Sequence, residues 1–154
     1  MLCVGCGAEV ADVEYPVHSD MRTSPGCWAL FCDVLGREFS DRAYWPVHQL
    51  TVNAYALQHA ASNPALHLLA LCLRFEHGLS DEQILPVMRR VAKDKNALPS
   101  VETPSVTNEV MVLDVYAAKN AQGHIAAVER WARAVWGGWR DSHEAVRKLA
   151  QSLI

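Results

Sequence analysis

The chain has 154 residues, 51% of them hydrophobic and 20% charged, with a formal net charge of -3. That length predicts one domain, 1–154, able to bury roughly 70% of the surface an unfolded chain exposes, and the composition excludes a disordered chain. The mildly acidic balance, with no block of like charges, excludes a nucleic-acid partner, and no apolar run approaches the about 18 residues of a membrane span.

The N-terminus lacks the basic and apolar regions of a signal peptide, so the expected compartment is the cytoplasm. Five cysteines, Cys3, Cys6, Cys27, Cys32 and Cys72, would stay reduced there, which favours metal binding or burial over a disulfide framework. Residues 1–23 carry Gly5, Gly7 and Pro16 with no helical period. They read as a coil-rich lobe unable to build its own core, docked on a helical body of 24–154.

The first helix is signalled by SPGCWALFCDVLGREF, with Ser24 as N-cap, Pro25 at the first helical position, and Trp28, Phe31 and Leu35 at helical spacing. Cys27 then lies in its first turn. Ser40 and Asp41 announce a second helix that Pro46 splits into a short turn and a body from about Val47 to Ala60. NPALHLLALCLRFEH is apolar nearly all round and stops before Gly78, as a central buried helix should. Its Cys72 reads as a small buried hydrophobe.

SDEQ sets a capping box from Ser80 to Gln83 for a fourth helix, disturbed at Pro86. Residues 93–107 form a connection holding Pro99 and Pro104. VTNEVMVLDVYAAK is rich in β-branched residues, yet Thr107 can cap a helix, and the helix is preferred. HIAAVERWARAVWGGW is helical, with His124, Val128, Trp131, Val135 and Trp139 on one core-facing stripe. A last helix runs from DSHE, where Asp141 and Glu144 pair as a capping box, to the C-terminus. The expected fold is all-α, with six to seven helices.

The CVGC stretch at residues 3–6 lacks the preceding strand and βαβ setting of a redox CxxC. Two thiolates two residues apart, with small Gly5 and Gly7 permitting a tight turn, suit two corners of a zinc tetrahedron. Cys27 is the third candidate, because a helix first turn favours a thiolate. For the fourth, Cys32 competes with His18. Residues five apart on a helix diverge by about 140°, which turns Cys32 away from Cys27 and assigns the position to His18. The set is thus Cys3, Cys6, His18 and Cys27 around one structural zinc ion. Such an ion supplies roughly 10–16 kcal/mol of folding free energy to a lobe without a core.

CxxC, a histidine, SPGCW and TVNAYALQH in this order resemble a family of small uncharacterised bacterial proteins. The resemblance covers about residues 3–77, with an echo in VERWARAVWGGW and His143. It implies a shared scaffold and matches Cys3, Cys6, His18, Cys27, Tyr55, Gln58 and His59 to motif positions without giving them roles. Asn53 stands where the pattern leads one to expect an acidic residue.

On the second helix His48, Val52, Tyr55 and His59 fall within about 60° of one another. With His67 of the third helix, His48, Tyr55 and His59 would line a pocket offering metal ligands or a general base. The alternative is a core face with hydrogen-bonded histidines. No GxSxG, phosphate loop or HExxH is present. Two functions follow. The first is a zinc-stabilised, non-catalytic binding domain whose partner is a protein or a small molecule. The second is a hydrolase-like, metal-dependent enzyme using the histidine pocket.

Overall fold

The computed structural model describes residues 1–105 and 108–154. Among the described residues seven α-helices carry the fold: α1 Pro25–Ser40, α2 His48–Gln58, α3 Pro64–Phe75, α4 Asp81–Ala92, α5 Val112–Tyr116, α6 Ala121–Gly138 and α7 His143–Leu153. Among the described residues there is no strand, only one isolated antiparallel bridge between Leu2 and Glu9. The fold is all-α.

Local signals place most boundaries. Pro25 opens α1, and Ser24 has extended backbone at its N-cap. Its hydroxyl does not cap the helix, however. It accepts a hydrogen bond from the Val4 N–H instead, at 2.9 Å, tying the N-terminal lobe to the helix start. Pro46 falls in a short 3-10 turn, Arg42–Val47, which Asp41 caps, and α2 follows it. The Ser80–Gln83 capping box forms in both directions, and α4 runs through Pro86.

Two boundaries depart from expectation. Asp141 and Glu144 form no capping box, because Asp141 lies in a separate 3-10 turn, Arg140–Ser142, and α7 starts at His143. Among its described residues the ambiguous stretch is helical over Val112–Tyr116, where Asp114 accepts from the Met111 N–H at 2.8 Å. Thr107, the expected cap, lies outside the described residues.

α3 is the central helix. It packs on α2, α4, α6 and α7, and Leu68, Leu69, Leu71, Cys72 and Leu73 are wholly buried. The His124 stripe of α6 is buried as expected. α2 packs on both α3 and α6, and His59 at its end accepts from the Arg22 N–H of the N-terminal lobe. That lobe buries only Cys3, Cys6, Ala8 and Val10 among its apolar residues, too little to hold it by burial alone.

Candidate metal centre

Residues 1–10 form a tight knuckle. The Cys3 N–H donates to Ala8 C=O at 2.8 Å, the Gly7 N–H to Cys3 C=O at 3.0 Å and the Val10 N–H to Met1 C=O at 2.8 Å. Gly7 has φ +83°, a left-handed conformation that costs glycine little. Cys3 Sγ accepts from two amides, Gly5 at 3.4 Å and Ser24 at 3.5 Å. Such N–H bonds favour a thiolate over a thiol. Gly5 is required sterically as well, since a Cβ there would lie 2.1 Å from Arg22 O and 2.6 Å from His59 Cδ2.

Against this knuckle stand Cys27, in the first turn of α1, and His59, the residue after α2. One ligand atom from each of Cys3, Cys6, Cys27 and His59 lies within 4.8 Å of every other, and all four residues are buried. Cys6 Sγ to Cys27 Sγ is 3.9 Å and Cys27 Sγ to His59 Nε2 is 3.5 Å. A tetrahedral ion with ordinary zinc bond lengths sets its sulfurs roughly 3.8 Å apart and sulfur from nitrogen at roughly 3.5 Å. The sulfur pair is far too long for a disulfide, which needs about 2.05 Å, and all five cysteines are free thiols.

The imidazole is set for ligation. His59 Nδ1 lies 2.7 Å from the Tyr55 carbonyl oxygen, which can only accept, so Nδ1 carries a proton and Nε2 is the nitrogen turned to the sulfurs, where a metal ion would take the place of its proton. The ring stacks on Tyr55 at 3.8 Å, and Tyr55 stacks on Phe31 at 3.8 Å. The Tyr55 hydroxyl donates to Cys27 Sγ at 3.4 Å and shares a 2.7 Å hydrogen bond with Thr23.

Proton chemistry in the cluster is that of crowded sulfurs. Hydrogen bonds from Cys27 and Cys6 hold the Cys3 thiol far below its ordinary value, while the Cys27 and Cys3 sulfurs push Cys6 far above its own. Burial pulls His59 down, but the Cys27 and Cys3 sulfurs outweigh it and raise the imidazole to about 9. Three thiolates this close repel one another, and a divalent cation removes that conflict.

The structure brings together three of the four residues assigned to zinc from the sequence. His18 is not among them. It is exposed, its Nδ1 accepts from the Asp20 N–H at 3.1 Å, and its ring packs near Trp28. His59 takes the place given to it, because α2 ends one residue earlier and Ala60 turns the chain with φ +51°. Cys32 is likewise outside the cluster.

The histidine pocket does not form either. His48 Nδ1 donates to Glu38 Oε1 at 2.9 Å, and His67 Nδ1 donates to Asn53 Oδ1 at 2.9 Å in a cleft between α2, α3 and α4. Tyr55 and His59 face the sulfurs. The four residues therefore serve three separate environments. Sequence reasoning missed Glu38, which is 1% exposed and takes His48, Thr51 and His124 as donors.

A family model matches residues 1–140. The chain belongs to DUF5946, a family of unknown function. No curated protein and no solved structure matches it. Within this DUF5946 chain the match spans the whole knuckle, α1 and α2, and so every residue of the cluster. Chemically, three sulfurs and one imidazole can hold a divalent ion with no position left for water or substrate, the arrangement of a structural rather than a catalytic site.

Proposed function

We propose that this chain is a zinc-stabilised helical binding domain, in which one zinc ion held by Cys3, Cys6, Cys27 and His59 clips residues 1–23 onto α1 and the end of α2. One observation carries the reading: four buried ligand atoms lie within 4.8 Å of one another. Two of their separations, 3.9 and 3.5 Å, match a tetrahedral site of three sulfurs and one nitrogen. Soft thiolate ligands beside one imidazole favour zinc over harder divalent ions. The ion does what the lobe's few buried side chains cannot, and free thiols suit a reducing compartment such as the cytoplasm.

The ion's role is structural, with ligand binding left to the protein surface it orders. Cobalt substitution tests this directly. Adding Co(II) to metal-free protein should give the intense visible bands of a tetrahedral ion together with sulfur-to-cobalt charge transfer, and one equivalent of zinc should abolish them. Weak, octahedral-type bands would overturn the assignment.

A further inference from the structure

A cavity of about 500 Å³ opens beside the cluster, between the start of the knuckle, the end of α2 and the C-terminal turn of α6. Apart from His59 and Thr103, its polar lining falls into two groups. Gln58 and Asn108 are committed: Gln58 donates to Asn108 Oδ1 at 3.2 Å and Val110 C=O at 2.8 Å and accepts from Trp131, while Asn108 donates to Cys6 C=O at 3.2 Å. They are wall, not ligand contacts.

Arg22, Arg140, Trp139 and Glu109 make up the second group. Among the described residues neither guanidinium makes a hydrogen bond or an ion pair, and the indole N–H of Trp139 makes no protein hydrogen bond either; since no buried side-chain nitrogen is left unpaired, that N–H is open to the cavity rather than sealed in the core. Three of the uncommitted groups are therefore donors, two of them cationic, with the Thr103 hydroxyl and the single carboxylate of Glu109 beside them. Guanidinium forks match carboxylate and phosphate oxygens, and a concave site of this volume is large enough for a small metabolite.

We infer that this cavity binds a small ligand through an oxyanion group, a carboxylate or a phosphate, held by Arg22 and Arg140 with Trp139 as a further donor. The site deepens the binding role proposed above and adjoins the metal centre. The Arg22 N–H donates to His59 C=O at 2.6 Å, and Gly5 lies both in the knuckle and in the cavity wall. Its donors are present whether or not the ion is zinc.

Calorimetric titration of the full zinc-loaded chain with inorganic phosphate, and separately with succinate, at constant ionic strength, tests the site. The arm that binds identifies the oxyanion. Saturable one-to-one binding of either probe is expected, weakened by about tenfold in Arg22→Ala and in Arg140→Ala, lost in the double variant and tightened in Glu109→Gln. Both arginines are exposed, so the variants should fold. No saturable binding of either probe, or binding unchanged in the double variant, overturns the inference. Zinc content measured on the same samples keeps the two proposals apart. A sample that holds zinc but binds neither anion contradicts the cavity alone, and one that binds an anion without zinc contradicts the clip alone.

Discussion

His59 and Cys27 are 32 positions apart in the chain, yet His59 Nε2 lies 3.5 Å from Cys27 Sγ. The pair joins the end of α2 to the start of α1 and completes the corner that Cys3 and Cys6 leave open. Anything that moves either backbone should disturb the whole lobe, because its few buried apolar residues offer no second anchor.

Gly5 is the narrowest point of that junction. In Gly5→Ala the new methyl would meet a backbone oxygen at 2.1 Å and the His59 ring at 2.6 Å, neither of which can step aside cheaply. A destabilisation of about 1–3 kcal/mol, typical of overpacking, is expected together with reduced metal content. A melting curve and metal analysis indistinguishable from the unaltered chain would contradict the close approach.

The Tyr55 hydroxyl supports the sulfur corner from outside. Tyr55→Phe keeps both ring stacks but removes the hydrogen bond to Cys27 Sγ. Metal affinity should fall by about 10–100-fold, the usual effect of losing such a partner, with little change in the helical fold. Competition against a chromophoric chelator measures it, and unchanged affinity would mean that the hydroxyl serves only Thr23.

Glu38 governs a second, metal-free junction. Arg37 donates to His124 Nδ1 at 3.3 Å, so His124 carries its proton on Nε2 and donates it to Glu38 Oε2 at 2.7 Å. Burial raises the Glu38 pKa, but the His124, His48 and Thr51 hydrogen bonds outweigh it and hold the group below its ordinary value of 4.5. A depressed folded pKa contributes stability that is fully present above the unfolded value and is lost as pH falls through the folded one. Urea denaturation should therefore be flat in this contribution near neutrality and fall on the acid side of 4.5. Glu38→Gln should flatten that acid limb and cost about 3 kcal/mol at pH 7. An equally steep acid limb in the variant would assign the pH dependence to other groups.

The three histidines of the expected pocket should separate by phenotype. His48→Ala strips a donor from buried Glu38 and should destabilise by about 1–3 kcal/mol while leaving metal content intact. His67, half-buried and among the described residues bonded only to Asn53, should cost less when replaced by alanine. Among the three, His59→Ala alone should lose metal. Parallel changes in all three variants would restore a common pocket.

How much of this was legible in the sequence differs from residue to residue. Pro25, Pro46 and the Ser80–Gln83 box act within a few residues, and each marks its boundary in the structure. Cys3 and Cys6 share a tight turn for an equally local reason, and a helix first turn marks Cys27, although its meeting with Cys6 spans 21 positions of chain. His59 is hidden because helical periodicity, expected to run to about Ala60, extends two residues past the end of α2 at Gln58 and puts its ring on the His48 stripe. Ala60 with φ +51° ends that periodicity, and alanine gives no warning of a left-handed turn. The burial of Glu38 was equally silent, since GREFSDR reads as a solvated helix end until His48 and His124 arrive from elsewhere in the chain.

Metal content of the unaltered chain, His59→Ala and His18→Ala, purified without added metal, tests the four-residue clip most directly. About one zinc per chain is expected in the unaltered protein and in His18→Ala, by the one-ion logic of a tetrahedral site, with the metal lost or loosely held in His59→Ala. Zinc retained in His59→Ala and lost in His18→Ala would contradict the cluster and return the fourth corner to the surface loop.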